Sequence, residues 1–190
     1  MQEGDVLGGA LGGPRRVEVS VRTATPADAG AIAAVQGRAW RAHYAGLLSP
    51  STLVGLTAES VALAWREAVE RPPSPRHAVL VALSGDTVVG FAAVAPAGDA
   101  GADDLDGELV ALVVDPAHQR VGHGSRLMSA ATQTLRDAGV ARLTVWVPAA
   151  DRVLLDFHVS AGLVADGAER TLAGPSGERL HERRLSARLE

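Results

Sequence analysis

Residues 112–125 read LVVDPAHQRVGHGS, and this stretch carries the strongest structural signal in the chain. The run before the turn, residues 108–114, is almost wholly apolar, which is typical of a central strand buried on both faces. Asp115 and Pro116 end that strand. After the turn, apolar residues recur at helical spacing over residues 125–137. The stretch therefore predicts a buried strand that leads through a glycine-containing turn into a helix.

A turn of this kind can bind an anion. The first N–H groups of a helix have no partner within the helix, and the helix dipole adds positive potential there. Gly122 and Gly124 allow a ligand to come close to the backbone, and the side chains of Gln119 and Arg120 add hydrogen-bond donors. The same residues are also compatible with a tight connection that binds no ligand.

Two familiar phosphate-binding patterns do not fit this turn. A Walker loop requires Lys and then Ser or Thr after its second glycine, and no Lys occurs here. A dinucleotide-binding loop requires a third glycine where Leu127 stands. The pattern that remains is Gln-x-x-Gly-x-Gly, which fits at Gln119, Gly122 and Gly124.

This pattern resembles the (Arg/Gln)-x-x-Gly-x-(Gly/Ala) motif of the GNAT superfamily of N-acetyltransferases, which holds the pyrophosphate of coenzyme A. Residues 21–28, VRTATPAD, are similar to a common GNAT start. Residues 143–163 are similar to the second cofactor motif, Asn-x-x-Ala-x-x-Phe-Tyr-x-x-x-Gly-Phe, with Asp151 and His158 in place of its Asn and Tyr. The resemblance extends from residue 17 to residue 185.

The periodicity predicts a strand, two helices, three strands, a helix, a strand, a helix and two strands, without an internal repeat. Together with the resemblance, this order implies a single GNAT-like α/β (α+β) domain. Its mixed central sheet would have about six to seven strands, flanked by about four helices, with splayed central strands. We expect the domain to span residues 17–190 and the Gly-rich residues 1–16 to be a disordered tail.

The composition excludes several classes of function. The formal net charge of −4 argues against a nucleic-acid partner, which usually needs a basic face. The absence of cysteine excludes disulfides, thiolate metal sites and a cysteine nucleophile. No histidine spacing matches a zinc motif, so we expect no metal. We find no membrane-spanning run and no signal peptide, and therefore expect a cytoplasmic protein with no membrane partner.

The resemblance implies acetyl-CoA as cosubstrate. Its pyrophosphate would lie against residues 119–125, and its pantetheine arm would pair with the strand backbone at residues 112–114. A backbone N–H near Val113 would also face the thioester oxygen and stabilise the oxyanion. Asp151 can accept hydrogen bonds or cap its helix, but it cannot donate while ionised. The cofactor-binding residues implied in this way are Leu112, Val113, Val114, Gln119, Arg120, Val121, Gly122, His123, Gly124, Ser125, Asp151 and Phe157.

Two residues are implied as catalytic. Glu108 lies where GNAT members often place a base that takes a proton from the attacking amine, and the alternative is a solvated strand end. His158 stands where the family usually has a Tyr that assists the leaving thiolate. Imidazole can donate a hydrogen bond in that role, or the ring can simply pack on a helix that lines the cofactor.

The acceptor side is expected to come from the first two helices and their connection. Aromatic and apolar side chains in this segment suit a substrate wall, although core packing is the expected role of Trp40 and Trp65. The acidic loop at residues 99–106 is interpreted as solvated surface, while its field could also attract a cationic amine. The candidate acceptor residues are Trp40, His43 and Tyr44, with Leu47 and Leu48 beside them.

The sequence therefore predicts an enzyme that transfers an acetyl group from acetyl-CoA to a primary amine of a small molecule or peptide by direct attack. No Gly-x-Ser-x-Gly elbow is present, so no covalent intermediate is expected. The alternative is a non-catalytic GNAT-like domain that binds acyl-CoA as a sensor or interaction module, which the changes at Asp151 and His158 motivate. Dimers are common in the family, and the resemblance is compatible with a homodimer.

Overall fold

The computed structural model of the protein describes residues 18–44, 57–174, 177 and 179–190. The predicted tail at residues 1–16, together with Leu47 and Leu48, lies outside these residues. Short 3₁₀ turns precede the first and third helices, at Pro26–Asp28 and Pro116–His118. The strands are β1 Val19–Thr23, β2 Ala78–Ser84, β3 Thr87–Pro96, β4 Asp106–Val114, β5 Arg142–Pro148, β6 Val164–Ala173 and β7 Arg179–Arg188, and the helices are α1 Ala29–Tyr44, α2 Ala58–Glu70, α3 His123–Asp137 and α4 Arg152–Ser160.

The strands form one mixed sheet of seven, in the order β1-β2-β3-β4-β5-β7-β6. β4 and β5 are parallel, and every other neighbouring pair is antiparallel. The predicted fold class is therefore confirmed, with seven strands and four α-helices in the described ranges. The strand predicted at residues 108–114 is observed at Asp106–Val114, and the helix predicted at residues 125–137 is observed at His123–Asp137.

The start of α1 is tied to β1 by Asp28. Its carboxylate accepts the Thr25 N–H at 2.7 Å and both terminal amino groups of Arg22, at 2.7 and 2.9 Å. The Arg22 hydrogen bonds outweigh the effect of burial and lower the pKa of Asp28 to about 2. At the predicted Thr-Pro helix start, the ionised Asp28 carboxylate is thus fully hydrogen-bonded, and these bonds fix where α1 leaves the sheet.

The sheet is covered on both faces. α3 packs on one face, where Leu127, Leu135 and Leu143 are at most 1% exposed. A Cβ at Gly107 would lie 2.9 Å from side-chain carbons of Leu135 and Val140, so the close approach of α3 to β4 depends on the missing side chain.

α1 and α2 cover the other face, over β2, β3 and β4. Ile32, Val35 and Phe91 form the centre of this second core and are fully buried. Trp65 of α2 lies edge-on to Phe91 with ring centroids 4.9 Å apart, and its indole N–H donates to Gln36 at 2.6 Å. The expected packing role of Trp65 is confirmed. Within the described ranges, no helix is both long enough and apolar enough to span a membrane.

Candidate active site

The parallel strands β4 and β5 are paired over a short length and then separate. Pairing runs from Asp106 and Arg142 to Glu108 and Thr144, while β4 continues to Val114 without a neighbour on that side in the described structure. The Arg142 guanidinium closes the paired end, with its Nε donating to Asp106 at 2.8 Å and a second N–H contacting the same carboxylate. The splayed central strands that we predicted are therefore present, and they leave a wedge-shaped gap.

β4 bends away from β5 because it holds one residue more than its partner on the other side, β3. Ala93 pairs with Ala111, but Val94 pairs with Leu109, which leaves Val110 as an additional residue. A β-bulge of this kind bends its strand and increases the local twist. The bulge therefore separates the paired lower part of β4 from the part that lines the gap.

The backbone of β4 presents alternate residues to the gap. The Asp115 N–H donates to the Val89 carbonyl at 2.8 Å, so these two residues form a hydrogen-bonded pair. Such pairs alternate along an antiparallel ladder, so Val113 is also bonded to β3, and the N–H and C=O groups of Leu112 and Val114 point into the gap. The N–H groups near Val113 that face the gap are therefore those of Leu112 and Val114, while the Val113 N–H itself faces β3.

Asp115 holds the turn after β4 against the first helix. Its side chain is 7% exposed and pairs with Arg38 of α1 at 2.6 Å, and it accepts the Ala117 N–H at 3.0 Å. Burial by itself would raise the pKa of Asp115, but the Ala117 N–H and the Arg38 guanidinium outweigh it, so the pKa lies below its usual value. The ionised carboxylate therefore fixes the turn that leads into α3.

α3 begins after two residues in the left-handed region. Gly122 has φ 89°, which glycine adopts freely, and Arg120 has φ 64°, which is uncommon for a residue with a side chain. The first hydrogen bond of the helix runs from the Arg126 N–H to the Gly122 carbonyl at 3.2 Å. The N–H groups of residues 123–125 therefore lie before the helix's own ladder, a geometry that suits an anion.

Arg126 lies directly over this turn, and sequence reasoning missed it. Its Nη1 is 3.4 Å from the Val121 carbonyl, and a Cβ at Gly122 would be only 2.6 Å from the same nitrogen. The residue follows the motif and so was not considered with it. Helical spacing could have found it, because Arg126 comes four residues after Gly122 and therefore returns to the same side of the helix.

The side chains of the predicted phosphate loop do not all reach outward. The amide of Gln119 folds back to the end of β4, where its Nε2 donates to the Val114 carbonyl at 3.4 Å. This carbonyl is one of the groups on the gap side of the strand, so the loop and the gap meet at Val114. The other loop side chains are exposed: Arg120, Val121 and Ser125.

His123 points into the protein. Its ring is 2% exposed, and its Nδ1 has no hydrogen-bond partner among the described residues. Burial, followed by the charges of His118 and Arg126, lowers the pKa of His123. A ligand at the helix start would therefore contact the backbone N–H of His123 and not its imidazole ring. Nowhere in the described part of the chain do three His, Asp or Glu side chains come together as a metal site.

α4 closes the far side of the gap near the phosphate loop. Asp151 accepts the Leu154 N–H at 2.9 Å and so caps the helix, as we predicted for a carboxylate at this position. The Phe157 ring lies 3.5 Å from the place that a Cβ at Gly124 would occupy, and a methyl group of Val114 lies 3.8 Å from it. Candidate cofactor residues from β4, α3 and α4 therefore converge at one point.

His158 follows Phe157 and is almost completely enclosed. It is 2% exposed, its ring centroid lies 5.2 Å from that of Phe157, and its Nδ1 lacks a hydrogen-bond partner within the described residues. Burial lowers the pKa of His158 to about 4. The imidazole is therefore neutral at pH 7, so it can donate one hydrogen bond but cannot act as an imidazolium acid.

Glu108 lies at the point where the two central strands separate. We expected the strand to begin at Glu108, but it begins at Asp106, so Glu108 is a half-buried residue inside the strand. The alternative of a solvated strand end is therefore wrong. Burial raises the pKa of Glu108, the charge of Arg170 opposes this shift, that of Asp99 adds to it, and the pKa lies above its usual value.

Comparison with known families decides what this arrangement is. The family model for the acetyltransferase (GNAT) family matches residues 40–163, well over half of the chain. The chain belongs to the GNAT family. The wedge between β4 and β5 and the glycine turn before α3 both lie inside the matched residues. No curated protein matches the sequence.

Solved structures share this GNAT fold at low sequence identity. An N-acetyltransferase from Staphylococcus aureus Mu50 is 19% identical, with a TM-score of 0.72 over 91% of this chain and 99% of that one. The yncA protein from Salmonella typhimurium, solved with its cofactor acetyl-CoA, is 22% identical, with a TM-score of 0.71 over 91% and 95%. A ribosomal-protein-alanine N-acetyltransferase from Brucella melitensis is 24% identical, with a TM-score of 0.71 over 90% and 99%. Identities this low establish the fold alone.

The acceptor wall predicted for this GNAT domain is described in part. Trp40 is half-buried and His43 is exposed on the last turns of α1, where the His43 Nδ1 lies 3.1 Å from the Ala39 carbonyl of the same helix. The side chain of Tyr44 and residues 45–56 lie outside the described part of the chain. The assignment of these residues to the acceptor therefore stays a prediction.

The acidic loop of the GNAT domain is only partly the solvated surface that we expected. Asp106 is in the ion pair with Arg142 at the paired end of β4 and β5. Asp99 accepts the Trp146 indole N–H at 3.2 Å and the Arg184 Nη1 at 2.9 Å. Asp103 and Asp104 are exposed. The loop is therefore fastened across the sheet at two of its acidic residues.

Trp146 and Arg184 belong to a larger group of side chains beside Glu108 that sequence reasoning also missed. The Arg184 Nε donates to Asp166 at 2.8 Å, and the Arg170 guanidinium lies 4.3 Å from the Trp146 ring centroid. These residues come from separate segments, so no spacing in the sequence connects them. We call the group the Trp146 cluster, and it consists of Asp99, Trp146, Asp166, Arg170, Glu182 and Arg184.

Proposed function

We propose that the chain is an N-acetyltransferase that moves an acetyl group from acetyl-CoA to a primary amine by direct attack. The observation that carries this proposal is the continuity of two backbone features. The gap-facing edge of β4 ends at Val114, and the unpaired N–H groups that open α3 follow one short turn later. An extended thioester with a diphosphate at its far end has the chemistry to match both.

The diphosphate is assigned to the start of α3. The N–H groups of residues 123–125 are free of the helix ladder and lie at the positive end of the helix dipole. Arg126 adds a cation over the turn, and Asp115 keeps the turn in shape through Arg38. The exposed side chains of Arg120 and Ser125 are within the same turn and complete the donor set.

The thioester arm is assigned to the edge of β4. Leu112 and Val114 direct their N–H and C=O groups into the gap, so an extended ligand can pair with them as an additional strand. Of the N–H groups near Val113, we assign that of Leu112 to the thioester oxygen. A fixed N–H at that oxygen stabilises the negative charge that develops when the amine attacks.

Glu108 is assigned as the base. An alkylamine has a pKa of about 10.4 and arrives protonated at neutral pH, so a proton must leave before the nitrogen can attack. Glu108 lies at the apex of the gap, and its raised pKa makes it a better proton acceptor than an ordinary carboxylate. One proton of the ammonium passes to Glu108, directly or through water, and the free amine then attacks the thioester carbon. The C–N bond forms, the C–S bond breaks with coenzyme A leaving as the thiolate, and the second proton lost by the nitrogen passes to that thiolate through solvent.

His158 is assigned as a neutral hydrogen-bond donor on the opposite side of the gap. Its buried ring and its pKa of about 4 exclude a charged acid at physiological pH. One ring N–H can still donate a hydrogen bond to the leaving thiolate. This bond lowers the energy of the thiolate without requiring the imidazole to be protonated beforehand. The acceptor would be the amine of a small molecule or peptide.

The experiment is a thiol-release assay with acetyl-CoA and a panel of primary amines, combined with calorimetric titration of coenzyme A. Because the chain contains no cysteine, a thiol-reactive dye reports only released coenzyme A. We expect saturable coenzyme A binding and amine-dependent release. Failure to bind coenzyme A would falsify the proposal. Binding without release on any amine would instead favour a non-catalytic acyl-CoA sensor.

A further inference from the structure

The carboxylates of the Trp146 cluster are already occupied. Asp99 accepts from the Trp146 indole and from Arg184, and Asp166 accepts from the Arg184 Nε at 2.8 Å. Glu182 is 8% exposed and accepts the Arg170 Nε at 2.7 Å. Arg184, with a side chain 17% exposed, forms ion pairs with both Asp99 and Asp166. The cluster therefore has no uncommitted carboxylate of its own for a cationic ligand.

Arg170 is the member of the cluster with donors to spare. Its Nε is bound by Glu182, and its guanidinium is held over the Trp146 ring at 4.3 Å. Within the described residues, its two terminal amino groups donate to no protein group. The side chain is 36% exposed, so this outer edge is open to a ligand. A guanidinium that is fixed on two sides and open on the third is preorganised for a planar anion such as a carboxylate.

The open edge of Arg170 lies on the same face of the sheet as the proposed base. Glu108 pairs with Thr144 of β5, Trp146 follows Thr144 by two residues on the same face, and the Arg170 guanidinium covers the Trp146 ring. The charge of Arg170 acts on the pKa of Glu108 more strongly than any other charged group, yet the two side chains are not in ion-pair contact. Glu108 and Arg170 therefore present opposite charges on one face of the sheet that are not paired with each other. A zwitterion fits that polarity, with its amino group toward Glu108 and its carboxylate toward Arg170.

We propose that Arg170 binds a carboxylate of the acceptor, so that the acceptor class is an amine with a carboxylate close to its amino group, as in α-amino acids. This inference rests on the proposed acetyltransferase function and names the substrate class of the same site. Trp146 and Glu182 are positioning residues, because they fix the plane of the guanidinium and do not touch the acceptor. A diamine is disfavoured, since its second ammonium would meet the Arg170 cation.

The test compares acceptors that differ only in the carboxylate. Thiol release is measured with the protein amino acids, with their α-carboxamides, and with the amines left when the carboxylate is removed. We expect the preferred amino acid to exceed its amide in kcat/KM by about tenfold or more, the loss typical of a hydrogen bond to a charged group. Arg170→Gln should remove most of that preference through KM, and Arg170→Lys should restore part of it.

The chain offers a matched control on the same two strands. Arg183 of β7 pairs with Glu169 of β6 at 3.2 Å, at the register position next to Arg170 and Glu182 and hence on the opposite face of the sheet. Arg183→Gln should leave the ratio of acid to amide unchanged. Because the readout is a ratio between two acceptors, a general loss of stability does not move it.

Each remaining outcome is decisive. Amides or plain amines that react as well as the matched amino acids overturn this inference and leave the proposed function intact. An Arg170→Gln variant that loses activity equally on acids and amides also overturns it, since Arg170 would then act through Glu108. Turnover of no acceptor at all, in protein that binds coenzyme A, overturns both proposals together.

Discussion

The two sides of the gap between β4 and β5 present different kinds of groups, backbone on one side and side chains on the other. The side assigned to the cofactor is made of backbone: the edge of β4 at Leu112 and Val114, and the N–H groups that open α3. The side assigned to the acceptor is made of side chains, namely Glu108 and the Trp146 cluster, whose hydrogen bonds join residues as far apart as Asp99 and Arg184. The first depends on local chain geometry, and the second on tertiary contacts.

Because of this difference, the two sides should recognise different kinds of ligand. A backbone edge offers the same donors and acceptors whatever its side chains are, so it suits a ligand common to a whole family. A side-chain cluster changes with each substitution and can select one acceptor. We therefore expect changes in the backbone side to alter coenzyme A binding, and changes in the side-chain side to alter rate and acceptor choice. Four predictions test that division.

The largest effect is expected from Glu108→Gln. Loss of the base should lower kcat by about 10²- to 10⁴-fold, the usual contribution of a positioned proton acceptor, while coenzyme A affinity stays the same. In the unmodified chain, kcat/KM should rise with pH through a pKa above the ordinary carboxyl value, because only the ionised form accepts a proton. The variant should lose that step. The measurements are a pH–rate profile and a calorimetric titration.

Asp104→Asn is the control, because Asp104 is an exposed acidic residue of the adjacent loop. It should leave both rate and affinity unchanged. If Glu108→Gln weakens coenzyme A binding as much as it lowers kcat, the division between the two sides fails.

The second effect is on stability and concerns His158, the proposed hydrogen-bond donor to the leaving thiolate. Burial holds its folded pKa at about 4, below the ordinary imidazole value of about 6.5. Between pH 6.5 and pH 4, His158 binds a proton in the unfolded chain but not in the folded chain. The free energy of unfolding should therefore fall as the pH drops through this range, by about 3 kcal/mol. His123 acts in the same direction and Glu108 in the opposite one. His158→Phe should flatten this part of the curve in urea denaturation measured against pH.

His181→Phe, at an exposed histidine, should preserve the curve of the unmodified chain. A kcat that survives His158→Phe would assign His158 to packing alone and would leave the leaving sulfur without a side-chain donor. A large loss of kcat at unchanged coenzyme A affinity would support its role as donor.

The turn before α3 and the order of elements could be predicted from the sequence because both depend on local patterns. The spacing of Gln119, Gly122 and Gly124 after an apolar strand is enough to define the turn, and the same patterns gave the element order. The sequence did not predict that Leu112 and Val114 face the gap while Val113 does not. That assignment depends on the register with β3 and on the bulge at Val110, and pairing partners are not encoded in the spacing of one strand.

The side-chain side could be predicted only at Glu108. Trp146, Arg170 and Arg184 meet because β5, β6 and β7 are adjacent in the order β5-β7-β6, which a single sequence does not reveal. For the same reason Asp99 was interpreted as solvated surface, although it is bound to two partners. Arg126 is a different kind of omission, since its position one turn after Gly122 was visible in the sequence.

The third prediction concerns the turn itself. Gly122→Ala places a side chain at φ 89° and within 2.6 Å of the Arg126 Nη1, so the turn is strained and the arginine must move away from it. We expect roughly tenfold weaker coenzyme A binding, equivalent to about 1.4 kcal/mol. Gly139→Ala is the matched control at the other end of α3, with φ 76° and no atom within 4 Å of the added Cβ.

Both alanine variants should lose similar stability from the left-handed backbone, and only the first should lose affinity. Equal affinities in the two variants would contradict the assignment of the diphosphate to this turn. The measurements are calorimetric titration with coenzyme A and the thermal midpoint of each variant.

The smallest effect is expected from Arg126→Gln, and it distinguishes the parts of the backbone side. If the N–H groups of residues 123–125 provide most of the diphosphate binding, the exposed Arg126 adds only a solvent-screened contact, worth about 1 kcal/mol or less and hence up to about fivefold in affinity. That contribution should shrink as salt is raised from low to physiological concentration, because exposed charges are screened. Arg136→Gln, in the last turn of the same helix, removes an equal charge far from the turn and should change neither affinity nor its salt dependence. A loss much larger than fivefold, or one that salt does not reduce, would mean that a side chain dominates here too. The contrast between a backbone side and a side-chain side would then have to be abandoned.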